Sequence, residues 1–217
     1  MRSLLPDDRI SRWLTHATDV TVIACGWWLI ALSVITCIEM MARKLFAFSL
    51  QGVDEIGSYT YGIVAAFGFS CALITRSHTR VDFLLSRFPA RVRTALNLLA
   101  MLSLAALAVL CVWRGWHVLQ ESIDLGSRAP TPLATPMWIP QTIWLGGYLM
   151  FAFVALWAAA DALKLLVRGQ AAEIEVRFGP QTLQEEIEAE TDLQLRSGPN
   201  ETAAPAAAPA NAAGVAP

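Results

Sequence analysis

The sequence predicts an all-α integral membrane protein with four transmembrane helices and both termini on the cytoplasmic side. Three observations support this fold class. Hydrophobic residues make up 55% of the 217 positions and charged residues only 16%, whereas soluble domains carry about 25% charged residues. The hydrophobic residues fall in four long uncharged runs. The segments before, between and after those runs are alternately rich and poor in Lys and Arg. The composition is therefore that of a membrane protein and not of a soluble enzyme.

The first three uncharged runs cover residues 20–38, 56–75 and 94–113. A helix rises about 1.5 Å per residue, so about 20 apolar residues cross a hydrocarbon core of about 30 Å. Backbone amides in lipid need partners within the segment, so these runs must be helical. We expect the first run to be a retained span and not a cleaved signal peptide, because it starts late and lacks a clear small-residue cleavage site.

The fourth run, residues 129–160, contains four closely spaced prolines. Prolines at that density disfavour a continuous helix. The last of them, Pro140, suits the first turn of a helix, where its missing N–H costs no hydrogen bond. The predicted spans are therefore about 20–42, 54–75, 94–116 and 140–163.

The distribution of basic residues predicts the orientation. Ten Lys and Arg lie in the N-terminal segment, the segment between spans two and three, and the segment after span four. These segments share one side of a four-span protein, and the excess of positive charge marks the cytoplasmic side. The chain then divides into a cytoplasmic N-terminal segment (1–19), a four-helix membrane domain (20–168) and a cytoplasmic tail (169–217). The tail is acidic and then Ala/Pro-rich, and we expect it to be largely disordered.

The pattern of residues 79–92 predicts a short amphipathic helix on the cytoplasmic membrane surface. Val81, Leu84, Leu85 and Phe88 recur at helical spacing, and a preceding Thr-x-x-Asp pattern is typical of a helix start. Such a helix buries its apolar face at the headgroup boundary. An ordinary polar linker is the alternative.

A cluster of charges lies at the outer ends of spans one and two. Arg43 follows Glu39 by four residues, which places both on one face of a helix, and Asp54 and Glu55 open span two. We expect Arg43 and Lys44 to pair with the three acids. The cluster either fixes the first helical hairpin or forms an interface with another subunit. Adjacent acids point about 100° apart on a helix, which disfavours an acid–base site.

Span two carries a small residue at every fourth position: Ser58, Gly62, Ala66 and Ser70. Small residues on one face let another helix approach closely in a membrane. The partner helix could belong to this chain or to another one, and the pattern could also reflect the general abundance of small residues in membrane helices.

No cofactor or metal is expected from the sequence. The four cysteines lie in apolar runs without CxxC spacing, and no pair of histidines falls within the predicted bilayer core. Nucleotide-binding and nucleophile motifs are absent from the sequence. The predicted spans also lack the deep charges from which a translocation path is built. A subunit of a larger assembly is therefore favoured over a stand-alone transporter.

Three blocks in order resemble the small membrane subunit of tripartite ATP-independent periplasmic (TRAP) transporters, the DctQ family. The resemblance covers about residues 15–168. The first block is Arg-Lys-Leu-Phe at 43–46 with Val-Asp-Glu at 53–55, the second is Arg-Ser-His-Thr-Arg-Val-Asp at 76–82, and the third is Thr-Pro-Met-Trp-Ile-Pro-Gln at 135–141. Beside the charged cluster and the small-residue face, the blocks add six candidate interface or structural residues: His78, Arg80, Asp82, Pro136, Trp138 and Pro140.

The resemblance implies a function that the amino-acid composition alone does not indicate. The chain would brace a large multi-span permease subunit in the bacterial inner membrane during symport. Uptake of a small solute, commonly an organic acid, would be driven by an ion gradient, and a periplasmic solute-binding protein would deliver the solute. Nucleic acid is not expected as a partner. Two alternatives stay open: a membrane anchor of a haem-containing electron-transfer complex, which needs matched axial ligands, and an assembly factor unrelated to transport.

Overall fold

A computed structural model describes residues 4–6, 8–46, 51–76, 88–170, 173 and 191. It contains four long helices: α1 (Arg9–Phe46), α2 (Val53–Ile74), α3 (Ala90–Asp124) and α4 (Trp138–Val167). Each is long and apolar enough to cross a membrane. Within the described ranges there is no β-strand, only an isolated bridge between Arg128 and Pro136. The predicted all-α fold with four spanning helices is confirmed.

The four helices belong to one compact unit. Two of the helices are longer than a bilayer requires. α1 has 38 residues and α3 has 35 residues, which correspond to more than about 50 Å at 1.5 Å per residue. Both helices therefore extend beyond a hydrocarbon core of about 30 Å.

The predicted surface helix at 79–92 lies mostly outside the described residues, which resume at Phe88. Pro89 has an extended backbone and directly precedes α3. The last three residues of the predicted surface helix are therefore the first residues of α3.

α4 is the central helix of the bundle in the sense that it is the most buried of the four. It packs against α2 and α3, while α2 packs against α4 and α1. The core around α4 contains many small side chains: Ala155, Ala158 and Ala162 of α4 and Ala108 of α3 are all fully buried and belong to one cluster. Small residues at such a seam bring two backbones close together and gain dispersion contacts that lipid tails do not offer. α1 lies at the edge of the bundle, against α2, and most of its apolar residues face outward.

The N-terminal segment contributes to the core. Leu4 and Leu5 are almost completely buried among Leu73, Ile74 and neighbouring apolar residues. The amide of Leu4 donates to the carbonyl oxygen of Ile74 at 3.3 Å, which satisfies a carbonyl at the C-terminal end of α2. The segment predicted only as a cytoplasmic extension thus contains both the start of α1 and a cap on one end of the bundle.

The connection between α3 and α4, residues 125–137, folds back on itself. The amide of Ala129 donates to the carbonyl of Thr135 and the amide of Met137 to the carbonyl of Ser127, both at 3.0 Å. α4 begins at Trp138, so Pro140 lies in its first turn, as predicted, although the helix starts two residues earlier. We call the end of the bundle that contains this connection, the end of α1 and the start of α2 the loop end.

Candidate functional site

Glu55 is the organising residue at the loop end. Its side chain is buried near the start of α2. One carboxylate oxygen accepts a hydrogen bond from the hydroxyl of Tyr59 at 3.0 Å, and the other accepts one from the hydroxyl of Thr131 in the α3–α4 connection. A buried carboxylate needs such donors, because leaving it without partners in a low-dielectric region is costly. Glu55 therefore ties the start of α2 to a loop 76 residues further along the chain.

Gly52 brings the same two segments into direct contact. It precedes α2 with a φ of 99°, a conformation that L-residues with a side chain rarely adopt. A Cβ atom at this position would also collide with the side chain of Leu133. Backbone conformation and close packing both explain a glycine here.

The other buried acid at the loop end, Glu39, is held by its own helix. The guanidinium of Arg43 binds the Glu39 carboxylate one turn away, while the Arg43 side chain is 56% exposed. This is one of the ion pairs expected from the sequence. The expected pairing of Glu55 with Arg43 or Lys44 is not what the geometry shows, because hydroxyl groups occupy both oxygens of Glu55. Asp54 points outward and is exposed.

The small-residue positions of α2 differ in their surroundings. Ala66 is buried against Gly147 of α4, where a Cβ on Gly147 would lie only 2.8 Å from the Cβ of Ala66. Ser70 is completely buried. Gly62 is exposed, and a Cβ at this position would lie 4.0 Å from the indole ring of Trp144. The closest approach of two helix backbones at this face is therefore between α2 and α4 of the same chain.

Aromatic rings extend the α2–α4 contact. Phe69 of α2 stacks on Tyr148 with ring centroids 6.3 Å apart and packs on Phe151 at 5.7 Å. Trp144 meets Tyr148 edge to face at 4.8 Å. These rings fill the space beside the Ala66–Gly147 contact and hold α2 and α4 in register.

Of the second block of candidate residues, His78, Arg80 and Asp82 lie outside the described residues. The third block lies at the loop end. Pro136 takes part in the bridge to Arg128, Trp138 opens α4 with an exposed side chain, and Pro140 is buried in the first turn.

The histidines that the structure describes do not form a pair of axial ligands. His16 is exposed near the start of α1. His117 is exposed near the end of α3, where its ring meets Trp113 edge to face at 5.1 Å. Because α1 and α3 run in the same direction in the up-down bundle, these two rings lie toward opposite ends, which gives no support to haem ligation between them.

The matching family model agrees with this architecture. The model described as "Tripartite ATP-independent periplasmic transporters, DctQ component" matches residues 32–166, which is more than half of the chain. The chain belongs to the DctQ family. A search of curated proteins found no match. DctQ is a family of transporter components and not of enzymes, and it indicates the small permease component of a TRAP transporter. With four helices able to span a membrane, this DctQ chain is a multi-pass membrane protein.

The DctQ match includes both the Glu55 contacts and the α2–α4 contact, since it runs from within α1 to the end of α4. Several residues of these contacts escaped sequence reasoning. Thr131 lies in a Pro-rich segment whose pattern gives no sign of a carboxylate partner, and Tyr59 reads as an ordinary residue of a span. Gly147, by contrast, stands in a Gly-Gly pair within span four, and that pair was a usable signal for close helix packing.

Proposed function

We propose that this chain is the small subunit that braces the large permease subunit of a TRAP transporter in a bacterial inner membrane. In this role it holds the large subunit while an ion gradient drives uptake of a small organic acid, which a periplasmic solute-binding protein delivers. Both termini lie in the cytoplasm, the loop end faces the periplasm, and the part of the predicted surface helix that precedes Pro89 lies on the cytoplasmic surface.

The observation that supports a bracing role is the tightly packed, mainly apolar interior of the bundle. The core around α4 is filled by alanines and other apolar side chains, with Val154 and Ala155 fully buried. Among the described residues, the buried charged side chains are Glu39 and Glu55, and both lie at the loop end with their carboxylates bound. An ion or organic anion crossing a bundle needs charged groups at membrane depth, and the buried polar residues deeper in the described helices, such as Thr60, Ser70 and Asn97, are neutral. The bundle therefore suits a supporting role beside a partner subunit that contains the transport path.

Reconstitution tests the bracing role directly. The chain, its large permease partner and the binding protein are purified together and separately, and uptake of labelled organic acids into liposomes is measured under an ion gradient and without ATP. We expect uptake only from the complete assembly, with this chain co-purifying with the large subunit. Uptake by this chain alone, or failure of the two membrane proteins to co-purify, would refute the proposal.

Cysteine labelling tests the orientation. In a variant whose native cysteines are replaced by alanine, Ser127→Cys at the loop end is compared with Arg168→Cys after α4. A membrane-impermeant maleimide added to intact spheroplasts should label Ser127→Cys and leave Arg168→Cys unlabelled until the membrane is opened. The reverse pattern would show that the chain is inserted the other way round.

A further inference from the structure

The C-terminal end of α4 carries two cations at the edge of the membrane. α4 is uncharged from Trp138 to Ala160, a stretch longer than the roughly 20 residues that cross a hydrocarbon core. Lys164 lies in the last turn of the helix and Arg168 directly follows it. Both cations therefore lie at the depth of the headgroup layer, where the phosphates of lipids are found.

Neither cation is neutralised by the described part of the chain. Lys164 and Arg168 are exposed and lie one helical turn apart, and no ion pair joins either of them to an acidic side chain of the described ranges. The Lys164 ammonium lies 5.4 Å from the centre of the Trp157 ring, a contact that attracts a cation without cancelling its charge. Asp161, the nearest acid on α4, does not line the pocket beside the two cations. An anion can therefore approach both cations together.

The pocket beside these cations continues into a groove between α3 and α4. Its apolar lining residues are Ala160, Leu163 and Val167. Ala160 and Leu163 also line a second pocket, whose other described residues come from both helices and are all apolar: Leu102, Ala105, Ala106, Val109, Leu156 and Ala159. The two pockets thus form one surface that is basic at the end of α4 and apolar along the outer side of the α3–α4 contact.

Charge and depth together select the occupant of this surface. An apolar helix of a partner would cover Lys164 and Arg168 without supplying a counter-charge, and uncompensated charge is costly in a membrane. A phospholipid instead brings a phosphate to the depth of the two cations and acyl chains to the depth of the groove. Basic pockets beside membrane helices hold anionic lipid headgroups in this way.

We propose that Lys164 and Arg168 bind the phosphate of an anionic phospholipid, such as phosphatidylglycerol, and that one of its acyl chains lies in the groove between α3 and α4. The lipid belongs to the leaflet at the end of the bundle opposite the loop end. Two cations favour a headgroup with net negative charge over a zwitterionic one, whose ammonium group they repel. This inference concerns the chain's own contacts with the bilayer and does not depend on the proposed bracing role.

Photo-crosslinking with two lipids that differ only in the headgroup tests the proposal. The full chain, purified with its transporter partners, is placed in phosphatidylcholine nanodiscs. These contain a trace of either phosphatidylglycerol or phosphatidylcholine that carries a diazirine in one acyl chain, and adducts are mapped by mass spectrometry after irradiation. We expect phosphatidylglycerol to give several-fold more adducts on segments 102–109 and 156–163 than phosphatidylcholine gives. Equal labelling by the two lipids would overturn the proposal.

Matched variants separate the two cations from a general attraction of anionic lipid. Lys164→Gln with Arg168→Gln should lower the phosphatidylglycerol adducts in the groove to the phosphatidylcholine level. Lys44→Gln with Arg114→Gln removes the same charge from exposed positions toward the loop end and should leave the adducts unchanged. Ala160→Phe, at the exposed position that both pockets share, should displace the acyl chain while both cations remain.

Two further outcomes would contradict the proposal. One is a Lys164→Gln, Arg168→Gln variant that is labelled as strongly as the parent. The other is a groove that stays unlabelled in the intact assembly, because a partner helix or the acidic tail of the chain covers it. If the double variant does not fold, the comparison of the two lipids on the parent chain still decides between binding and no binding.

Discussion

The first and last helices of this bundle are similarly apolar but are used differently. Of the most apolar stretch of α4, 44% of residues are buried within the protein, against 6% for α1. α4 carries Gly147 and a series of buried alanines, whereas α1 carries large residues such as Trp13 and Trp27 that face outward. Because lipid is as apolar as leucine, hydropathy alone cannot decide which helix becomes the centre of a bundle. Side-chain size decides it, since small residues let neighbouring backbones approach.

The same contrast separates the two buried acids. Glu39 of α1 is bound by Arg43 of the same helix, so its contact requires only local structure. Glu55 is bound by Thr131 in the connection that leads into α4, so its contact requires the assembled bundle. Four pairs of substitutions test whether the stability of α1 depends less on contacts with other helices than the stability of α2, α3 and α4 does.

Gly147→Leu should have the largest effect. The new side chain would force α4 away from Ala66 of α2, and overpacking of this kind costs about 1–3 kcal/mol of folding free energy or more. Gly26→Leu on α1 is the matched control, because nothing lies within 4 Å of a Cβ at that position. Thermal unfolding in detergent, followed by circular dichroism, should show a clear drop in Tm for the first variant only. Equal drops would mean that α1 packs as tightly as α4.

Glu55→Ala should come next. It removes the hydrogen bonds that the half-buried hydroxyls of Tyr59 and Thr131 donate to Glu55, and a hydrogen bond to a charged group contributes about 1.5–3 kcal/mol. Asp54→Ala, at the neighbouring exposed position, should change stability by no more than about 0.5 kcal/mol. Both variants should still insert, and Glu55→Ala should lower the yield of the assembled transporter on co-purification. An assembly yield and Tm equal to those of the parent would show that the Glu55 contacts are dispensable.

Gly52→Ala should destabilise the loop end by about 1–2 kcal/mol from its left-handed backbone alone, with a further cost from the collision with Leu133. Gly126→Ala shares a positive φ but has open space around its Cβ. The difference in Tm between the two variants therefore reports the packing of Leu133 on the start of α2. If the two drops in Tm were the same, that packing would contribute nothing to stability.

Trp28→Phe should have the smallest effect. It removes the indole donor that binds Thr60, one of the contacts between α1 and α2, and hydrogen bonds between membrane helices average about 0.6 kcal/mol. Trp27→Phe, on a side chain that is 69% exposed, is the control. Unfolding in denaturing detergent is sensitive enough to compare them. A large loss of stability for Trp28→Phe would show that α1 depends strongly on this hydrogen bond, although most of its apolar residues are exposed.

Particular residues show how far sequence reasoning could reach. The position of Pro140 in the first turn of α4 follows from the missing N–H of proline, which is a property of one residue, and it was predicted. The pairing of Glu39 with Arg43 follows from helical spacing and was also predicted. The binding of Glu55 by Thr131 was missed, because two residues 76 positions apart meet only when the helices between them have packed. Leu4 and Leu5 were missed for the same reason, since two leucines in a polar segment give no periodic signal.

The sequence by itself determined the four spans and the family, because hydropathy and local motifs are properties of short segments that need no partner. The three blocks that suggested DctQ lie along the chain and could be read in order. Only the tertiary structure decided that α4 is the central helix, that Ala66 meets Gly147 of the same chain, and that Glu55 binds a loop instead of an arginine. Those outcomes depend on how closely backbones approach in three dimensions, which is set by the joint fit of several helices and not by any one of them.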